Sequence, residues 1–417
     1  MIDYPNRLNI IFDKLLNHSI KPIIIGGFIR DSLLKIESKD IDIELYGISS
    51  FTKLEKILEE FGSVNSVGKS FGVCKLRVDD LDLDFSFPRR DSKISKGHRG
   101  FSIEVDSSLD FKSATSRRDF SINAIGYDVE AKKIMDPFNG RKDLEKRVLR
   151  AVNLDTFIDD PLRVLRAVQF SSRFNLSMDK KLFSTCAEMI NNSLLNELPR
   201  ERIFLEMKKL LLKSSSPSSG LKLLRELGAF KFFVEFQHLD KDDFSSTLKA
   251  INKMSSLKGT DEKTNIVLML ATLCYKLPIK SCETFLLSLT TESSLINRVL
   301  SLIKHKNTFN IDAFKDYDIY LLATKLIIDD FVLFYLASTD IKEKIESILK
   351  LKKRAKELNV LNTEAVALLQ GRDILKFGVK PSKEFSKILD RAYRAQINSE
   401  FKTKKEALVW LKKELAP

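Results

Sequence analysis

"IIIGGFIRDSLLKIESKDIDIEL", residues 23–45, decides how this chain is read. An apolar β-branched run ends in Gly26-Gly27. A short helical stretch follows, and then Asp40, Asp42 and Glu44 alternate with Ile41, Ile43 and Leu45. Successive strand side chains point to opposite faces, so the acids share one face and the aliphatics the other. Carboxylates about 7 Å apart along a strand repel unless something positive lies between them. A solvated strand face is one account of such acids, and a cation site is the other. Gly26 and Gly27 favour the cation site, because they allow close backbone approach and the next helix start offers N–H groups to a phosphate. No Gly-Lys-Ser/Thr follows, so this is not a Walker loop, and the GxGxxG of a dinucleotide fold is absent. A phosphate cradle one short helix before an Asp-x-Asp strand puts a triphosphate beside carboxylates. Mg²⁺ is then the expected cofactor, with Asp40 and Asp42 as its ligands.

Three later stretches add to this site. "LDLDFSFPRR" places Asp82 and Asp84 on one strand face, and Asp84 is the candidate third carboxylate. "SATSRRDFSINAIGYD" carries Arg117, Arg118, Asp119 and Asn123. Arginine suits triphosphate oxygens, while Asp119 and Asn123 suit ribose hydroxyls. In "DDPLRVLRAVQF", Asp160 before Pro161 reads as a helix N-cap. Asp160 and Arg163 also share one face of that helix start, an acceptor beside a donor fork. The pairing edges of C and A present an amino donor beside a ring-nitrogen acceptor, and U and G present the inverse. An Asp–Arg pair therefore accepts C and A and rejects U and G. Arg166, one turn on, can reach a phosphate.

The remainder of the chain bounds the class. It has 417 residues, 43% hydrophobic, with a net charge of +13. That charge suggests a polyanionic partner, nucleic acid before membrane. No secretory signal and no apolar run of membrane-spanning length is visible, so a cytoplasmic protein is expected. Residues 1–11 read as the start of an amphipathic helix. Cys74, Cys186, Cys274 and Cys282 lack CxxC spacing, which predicts reduced core thiols. Strand-like runs (22–25, 41–45, 72–78, 81–87) fall before residue 140, and from about Leu144 the periodicity is helical. "SSSPSSG", residues 214–220, reads as a break between helices and a domain junction. Residues 371–417 hold twelve Lys/Arg against six Asp/Glu, with Tyr393, Phe401 and Trp410 interleaved, a nucleic-acid-binding composition.

Taken in order, "GGFIRD", "KDIDIE", "RRDFSINA", "MDPFNGRKDLEKRVLR", "DDPLRVLRAVQF" and "RERIFLEMKKLL" resemble the class II tRNA nucleotidyltransferase and bacterial poly(A) polymerase family. The resemblance is specific over residues 23–212, and weaker matches continue into the last fifty residues. It implies an α+β fold: a polymerase-β-like nucleotidyltransferase head at 1–140, a helical neck for base selection at 141–213, a helical body at 214–345 and a tRNA-binding tail at 346–417. Residue by residue, it implies metal binding by Asp40 and Asp42, triphosphate contacts from Gly27 and Arg30, a nucleotide contact from Arg118 and a ribose contact from Asp119. Asp160 and Arg163 would be the amino-acid template, and Arg166 a further nucleotide contact. Residues 90–100 fall where the family carries a mobile loop.

The chain departs from the family pattern twice. Some members carry an arginine where Gln169 stands. Cys274-Tyr275 falls where many bacterial members have the His-Asp of a phosphohydrolase module, so no phosphohydrolase activity is expected. The resemblance implies template-independent addition of C, C and A to tRNA 3′ ends from CTP and ATP. Poly(A) polymerase is the alternative, along with CC-adding and A-adding relatives. Bacterial poly(A) polymerases usually extend into a further basic segment, and this sequence ends soon after the tail motif. No protein partner is indicated.

Overall fold

Pro5 delays the first helix. A short turn follows it, and α1 (Leu8–Asn17) begins only at Leu8, so the expected helical start at residues 1–11 moves toward the C-terminus. A computed structural model describes residues 2–65, 73–93, 101–363, 367–379, 383–398 and 400–415. Leu8, Ile11, Phe12 and Leu15 form the buried stripe of α1, at the i, i+3, i+4, i+7 spacing of one helix face.

The apolar run before the glycines is β1 (Lys21–Ile25), followed by α2 (Gly27–Leu33) and β2 (Asp40–Tyr46). Then come α3 (Phe51–Leu58), β3 (Ser63–Asn65), β4 (Val73–Val78), β5 (Leu81–Ser86), β6 (Arg89–Lys93), β7 (Phe101–Val105), α4 (Phe111–Thr115), β8 (Gly126–Asp128) and β9 (Lys133–Met135). Seven strands make one sheet in the order β3-β4-β5-β2-β1-β8-β9. Its pairs are antiparallel except β2–β5, which is parallel and sets Asp40 beside Asp82 and Asp42 beside Asp84. The other face of β2 is core: Ile41, Ile43 and Leu45 are at most 1% exposed. Strands β6 and β7 form a separate hairpin. The expected loop at residues 90–100 is therefore strand through Lys93, because Arg89–Lys93 pairs antiparallel with Phe101–Val105. Residues 94–100 lie outside the described residues.

Beyond the sheet the chain is helical, as expected: α5 (Gly140–Glu145), α6 (Leu154–Phe157), α7 (Leu162–Phe174), α8 (Lys180–Asn191), α9 (Arg200–Lys213) and α10 (Pro217–Glu226). One small departure is a parallel two-residue pairing of β10 (Val148–Leu149) with β11 (Ser177–Met178).

Four domains are expected, but the chain packs as two compact units, Met1–Gln237 and His238–Pro417. Just past the expected boundary at 140/141, α5 is tied back to the turn at Ser121–Asn123. Ser121 Oγ donates to Asp143 at 2.6 Å, and Ser121 N donates to the Arg150 carbonyl at 3.0 Å. The segment 214–220 does separate two helices, as expected, and its serines are packed. Ser172 and Ser214 share a hydrogen bond at 2.7 Å, and Ser219 Oγ donates to Ser172 at 2.9 Å. Gly220 packs so closely that a Cβ there would lie 2.4 Å from Leu210 Cδ1. A Ser/Gly-rich stretch here lets α7, α9 and α10 meet rather than part.

The second unit is helical: α11 (Lys241–Leu257), α12 (Glu262–Cys274), α13 (Ile279–Leu289), α14 (Ser293–Thr308), α15 (Asp316–Ala323), α16 (Ile328–Ala337), α17 (Lys342–Glu357), α18 (Gly371–Lys376), α19 (Lys383–Ile397) and α20 (Lys404–Glu414). Helix α12 is buried from Asn265 to Cys274. The last three helices have a core of their own around Ile374, Ile388, Phe401 and Leu411. They meet the helices before them through Tyr393 Oη, which donates to the Tyr320 carbonyl at 2.8 Å, and through Tyr317 with Asp390. All four cysteines are free and buried, and burial pushes the Cys186 thiol up to about 12. Among the described residues, no helix is long and apolar enough to cross a membrane.

Candidate active site

Gly26 sits at φ +73°, a conformation that L side chains rarely adopt, and turns the chain from β1 into α2. The turn also needs a missing side chain. A Cβ at Gly26 would stand 2.7 Å from Arg118 Nη1 and 3.5 Å from Asp42 Oδ2. The glycine turn, a guanidinium and the second acid of the Asp-x-Asp strand therefore converge at one point. Arg118 Nη1 donates to the Asn123 carbonyl at 3.1 Å, while its buried Nε has no hydrogen-bond partner.

Beside this point lies a cavity of about 950 Å³. Gly27, Arg30, Asp40, Asp42 and Asp84 all line it. The Asp42 carboxyl is held above the ordinary range, first by burial and then by its neighbours Asp84 and Asp40, with Arg118 pulling the other way. A set of hard carboxylate oxygens on a polar cavity fits a divalent cation. Among the described residues no group of three or more His, Cys, Asp or Glu converges into a metal cage. Glu44, on the same strand face, is different: it is fully buried, accepts from Tyr46 Oη at 2.7 Å and pairs with Arg117 at 3.4 Å. It is a structural acid.

The residues expected to hold the nucleotide also hold one another. Arg30 is 5% exposed, bonds Asp31 at 2.7 Å and donates from Nη1 to Asn123 Oδ1 at 2.6 Å. Its guanidinium lies over Phe174 and Phe170, 4.4 and 5.1 Å from the ring centres. Asn123 Nδ2 passes the chain on to Asp119 Oδ1 at 3.0 Å. Asp119 Oδ2 then accepts from Arg166 Nε and Nη2 at 2.8 and 2.5 Å. Burial alone would raise the Asp119 carboxyl, but Arg166 and Asn123 hold it below the ordinary range. Behind Arg166 stands Glu206, 3% exposed, whose Oε1 lies 3.9 Å from Arg166 Nη1 and accepts from Lys209 Nζ at 2.7 Å, while its Oε2 has no hydrogen-bond partner.

Asp160 Oδ1 accepts from Leu162 N at 3.1 Å, while the N-cap position of α7 falls one residue later than expected, on Pro161. Its Oδ2 accepts from Arg202 at 3.0 Å. Arg163 is clamped by two backbone carbonyls, Thr156 and Arg117, each at 2.9 Å. Asp160 and Arg163 are thus brought together at the start of α7, with fixed orientations. Gln169 is 1% exposed, and its Nε2 has no partner.

Sequence reasoning missed Lys75, Arg202 and Glu206. Lys75 alternates with Arg77 in "CKLRV", a visible signal, but only the strand register sets it across from Asp84. Arg202 and Glu206 lie in "RERIFLEMKKLL" with nothing local to say which side chains they meet.

Two family models match this chain: "Poly A polymerase head domain" over residues 23–150, and "Probable RNA and SrmB- binding site of polymerase A" over residues 175–240. A relative from Neisseria gonorrhoeae named "Multifunctional CCA protein" is 32% identical over 211 residues, 51% of this chain and 49% of the relative. The chain thus spans about half the length of that relative. A protein from Lactococcus lactis named "CCA-adding enzyme" is 27% identical over 408 residues, 96% of this chain and 94% of the relative. Among solved structures, the Bacillus stearothermophilus CCA-adding enzyme in complex with CTP has a TM-score of 0.72 at 21% identity, covering 99% of this chain and 98% of that one, and so shares the fold. Residues 23–150 thus match the head domain of poly(A) polymerases, residues 175–240 match the second model, and the chain as a whole shares its fold with the solved CCA-adding enzyme.

Proposed function

We propose that this protein is a CCA-adding enzyme, which adds C, C and A to tRNA 3′ ends from CTP and ATP, with Mg²⁺ as its cofactor, and releases pyrophosphate. The observation that carries this reading is the convergence of the Gly26 turn, Arg118 and Asp42 beside a cavity that Asp40 and Asp84 also line. The names of the Neisseria and Lactococcus relatives support it. Asp40 and Asp42 would hold the metal, with Asp84 across the ladder from Asp42. When bound, the metal lowers the pKa of the primer hydroxyl and offsets charge on the departing pyrophosphate. Arg118, held against the Gly26 turn, would place its positive charge close to the triphosphate. Arg30 supports this from beneath, by fixing Asn123 and through it Asp119.

Base choice follows from polarity at Asp160 and Arg163. Each Asp160 oxygen has two acceptor positions, of which Leu162 N and Arg202 take one apiece. The remaining positions can accept the amino group of C or A. Uracil would face that carboxylate with its own carbonyl, leaving both unpaired at ~1–3 kcal/mol. The tail, residues 346–417, would hold the body of the tRNA through its basic surface.

The test uses tRNA transcripts that end at the discriminator base, or one or two cytidines beyond it. Each is incubated with CTP, ATP or both, and the ends are sequenced. Completion to CCA and no further is expected. Long adenosine tracts from ATP alone would give the poly(A) alternative, and arrest after two cytidines or refusal of the first two shorter transcripts would give a CC-adding or A-adding relative.

A further inference from the structure

Lys75 stands directly across from Asp84 in the ladder between β4 and β5. Its ammonium donates to both Asp84 oxygens, at 2.9 and 2.7 Å. Arg77, two residues on, stands across from Asp82. Strand β4 therefore brings a cation to each acid of β5, while Asp40 and Asp42 on β2 have none opposite them in the ladder. Lys75, Asp40, Asp42 and Asp84 line the same cavity.

We propose that Lys75 is the resident counter-cation of Asp84 and competes with the divalent cation for that carboxylate. The inference rests on reading Asp84 as the third acid of the metal site. Without a cation, Asp84 and its ladder neighbour Asp42 would repel. Lys75 relieves that repulsion in the metal-free protein. An ammonium that bonds both oxygens also blocks the inner face of the carboxylate and repels a dication nearby. The pair is open to water, with side chains 57% and 31% exposed, so it is weak enough to open. The four-carbon stem of Lys75 can then swing its charge toward a phosphate oxygen that arrives with the metal. A neutral residue at position 75 would leave Asp84 unblocked and the site more avid for cations.

The test measures Mn²⁺ binding to the full chain without nucleotide, by the paramagnetic resonance signal of free Mn²⁺. Lys75→Met and Lys75→Gln should each tighten binding on the order of tenfold. Lys75→Arg should stay near wild type, because it keeps the blocking charge. In an Asp84→Asn background, Lys75→Met should have no further effect. Unchanged or weaker binding in both neutral variants overturns the proposal. Equal tightening with Asp84→Asn overturns it too, since the effect would then be one of net charge alone. Asp42→Asn is the separate control. Loss of Mn²⁺ in this variant upholds the metal site whatever Lys75 does, and retention would overturn the reading of the site itself.

Discussion

Asp42 shows what burial does to an ionisable group. Its carboxyl is raised, chiefly by burial, so the metal-free fold binds a proton there more tightly than the unfolded chain does. The stability linked to that proton is present at low pH and is lost as pH rises through the raised value. In EDTA at pH 8, Asp42→Asn should therefore melt no lower than wild type and somewhat higher. The gap should close as the pH falls into the carboxylate range. Nucleotide incorporation by the same variant should fall at least ~100-fold. Thermal melts across pH, beside a turnover assay, check both halves; a variant that melts lower at pH 8 would remove the strain argument. Asp160 is tested by base choice. If it served only as a cap, Asp160→Ala would cost ~1 kcal/mol of stability and leave base preference alone. As a template residue its loss should cut CTP use and narrow the gap to UTP by on the order of one to a few kcal/mol. Measuring kcat/KM for all four nucleotides separates the two roles, and a uniform drop would leave only the cap.

At the scale of elements, α5 meets the turn at Ser121–Asn123 by close approach rather than by area alone. Gly140 opens α5 where a Cβ would lie 2.3 Å from the Ser121 carbonyl oxygen and 2.8 Å from Ile125 Cγ1. The obstacle is backbone, which cannot swing aside as a side-chain tip could. The same turn, Ser121–Asn123, carries Asn123, the bridge between Arg30 and Asp119. Gly140→Ala should therefore destabilise the first unit by about 1–3 kcal/mol through overpacking, and the displaced turn should also raise KM for the nucleotide. Urea denaturation with steady-state kinetics measures both, and a stable variant with unaltered KM would disconnect α5 from the site. Gly220 is a milder case, because the group it meets, Leu210 Cδ1, is the movable end of a side chain.

For the whole molecule, the surplus of positive charge asks for a polyanion. The last three helices carry much of it and have their own core, so charge can be removed without cutting that core. Lys405, Lys412 and Lys413 are exposed on α20, beside the buried Ala407 and Leu411. Changing all three to Gln should weaken tRNA binding and flatten its salt dependence, by up to ~0.7–0.9 in slope for each phosphate no longer neutralised. CTP affinity should stay as it was. Filter binding across salt concentrations gives the slope, and an unchanged slope would exclude this face from the tRNA interface. Removing residues 371–417 outright is a poorer test, because Tyr317 and Tyr320 would lose Asp390 and Tyr393.

Local pattern was enough to locate the acidic strand, the glycine turn and the helical remainder. Strand alternation, glycine's freedom at positive φ and helical periodicity are properties of neighbouring residues, and they survive without the rest of the fold. The motifs also named Asp40 and Asp42, which line the cavity, Arg118, which meets the Gly26 turn, and Asp160, at the start of α7. Tertiary structure alone decided which partners these residues have. Asp84 meets Asp42 and Lys75 through register across three strands, and Asp119 meets Arg166 across 47 residues. Glu44 looked equivalent to its strand neighbours until Tyr46 and Arg117 closed over it. The serines at 214–219 read as a break between helices and a domain junction because small polar residues favour loops, and they form a packed seam because small side chains also let helices approach. A local pattern states what a residue can do; the interactions that choose among those options are long-range and are set only when the chain closes.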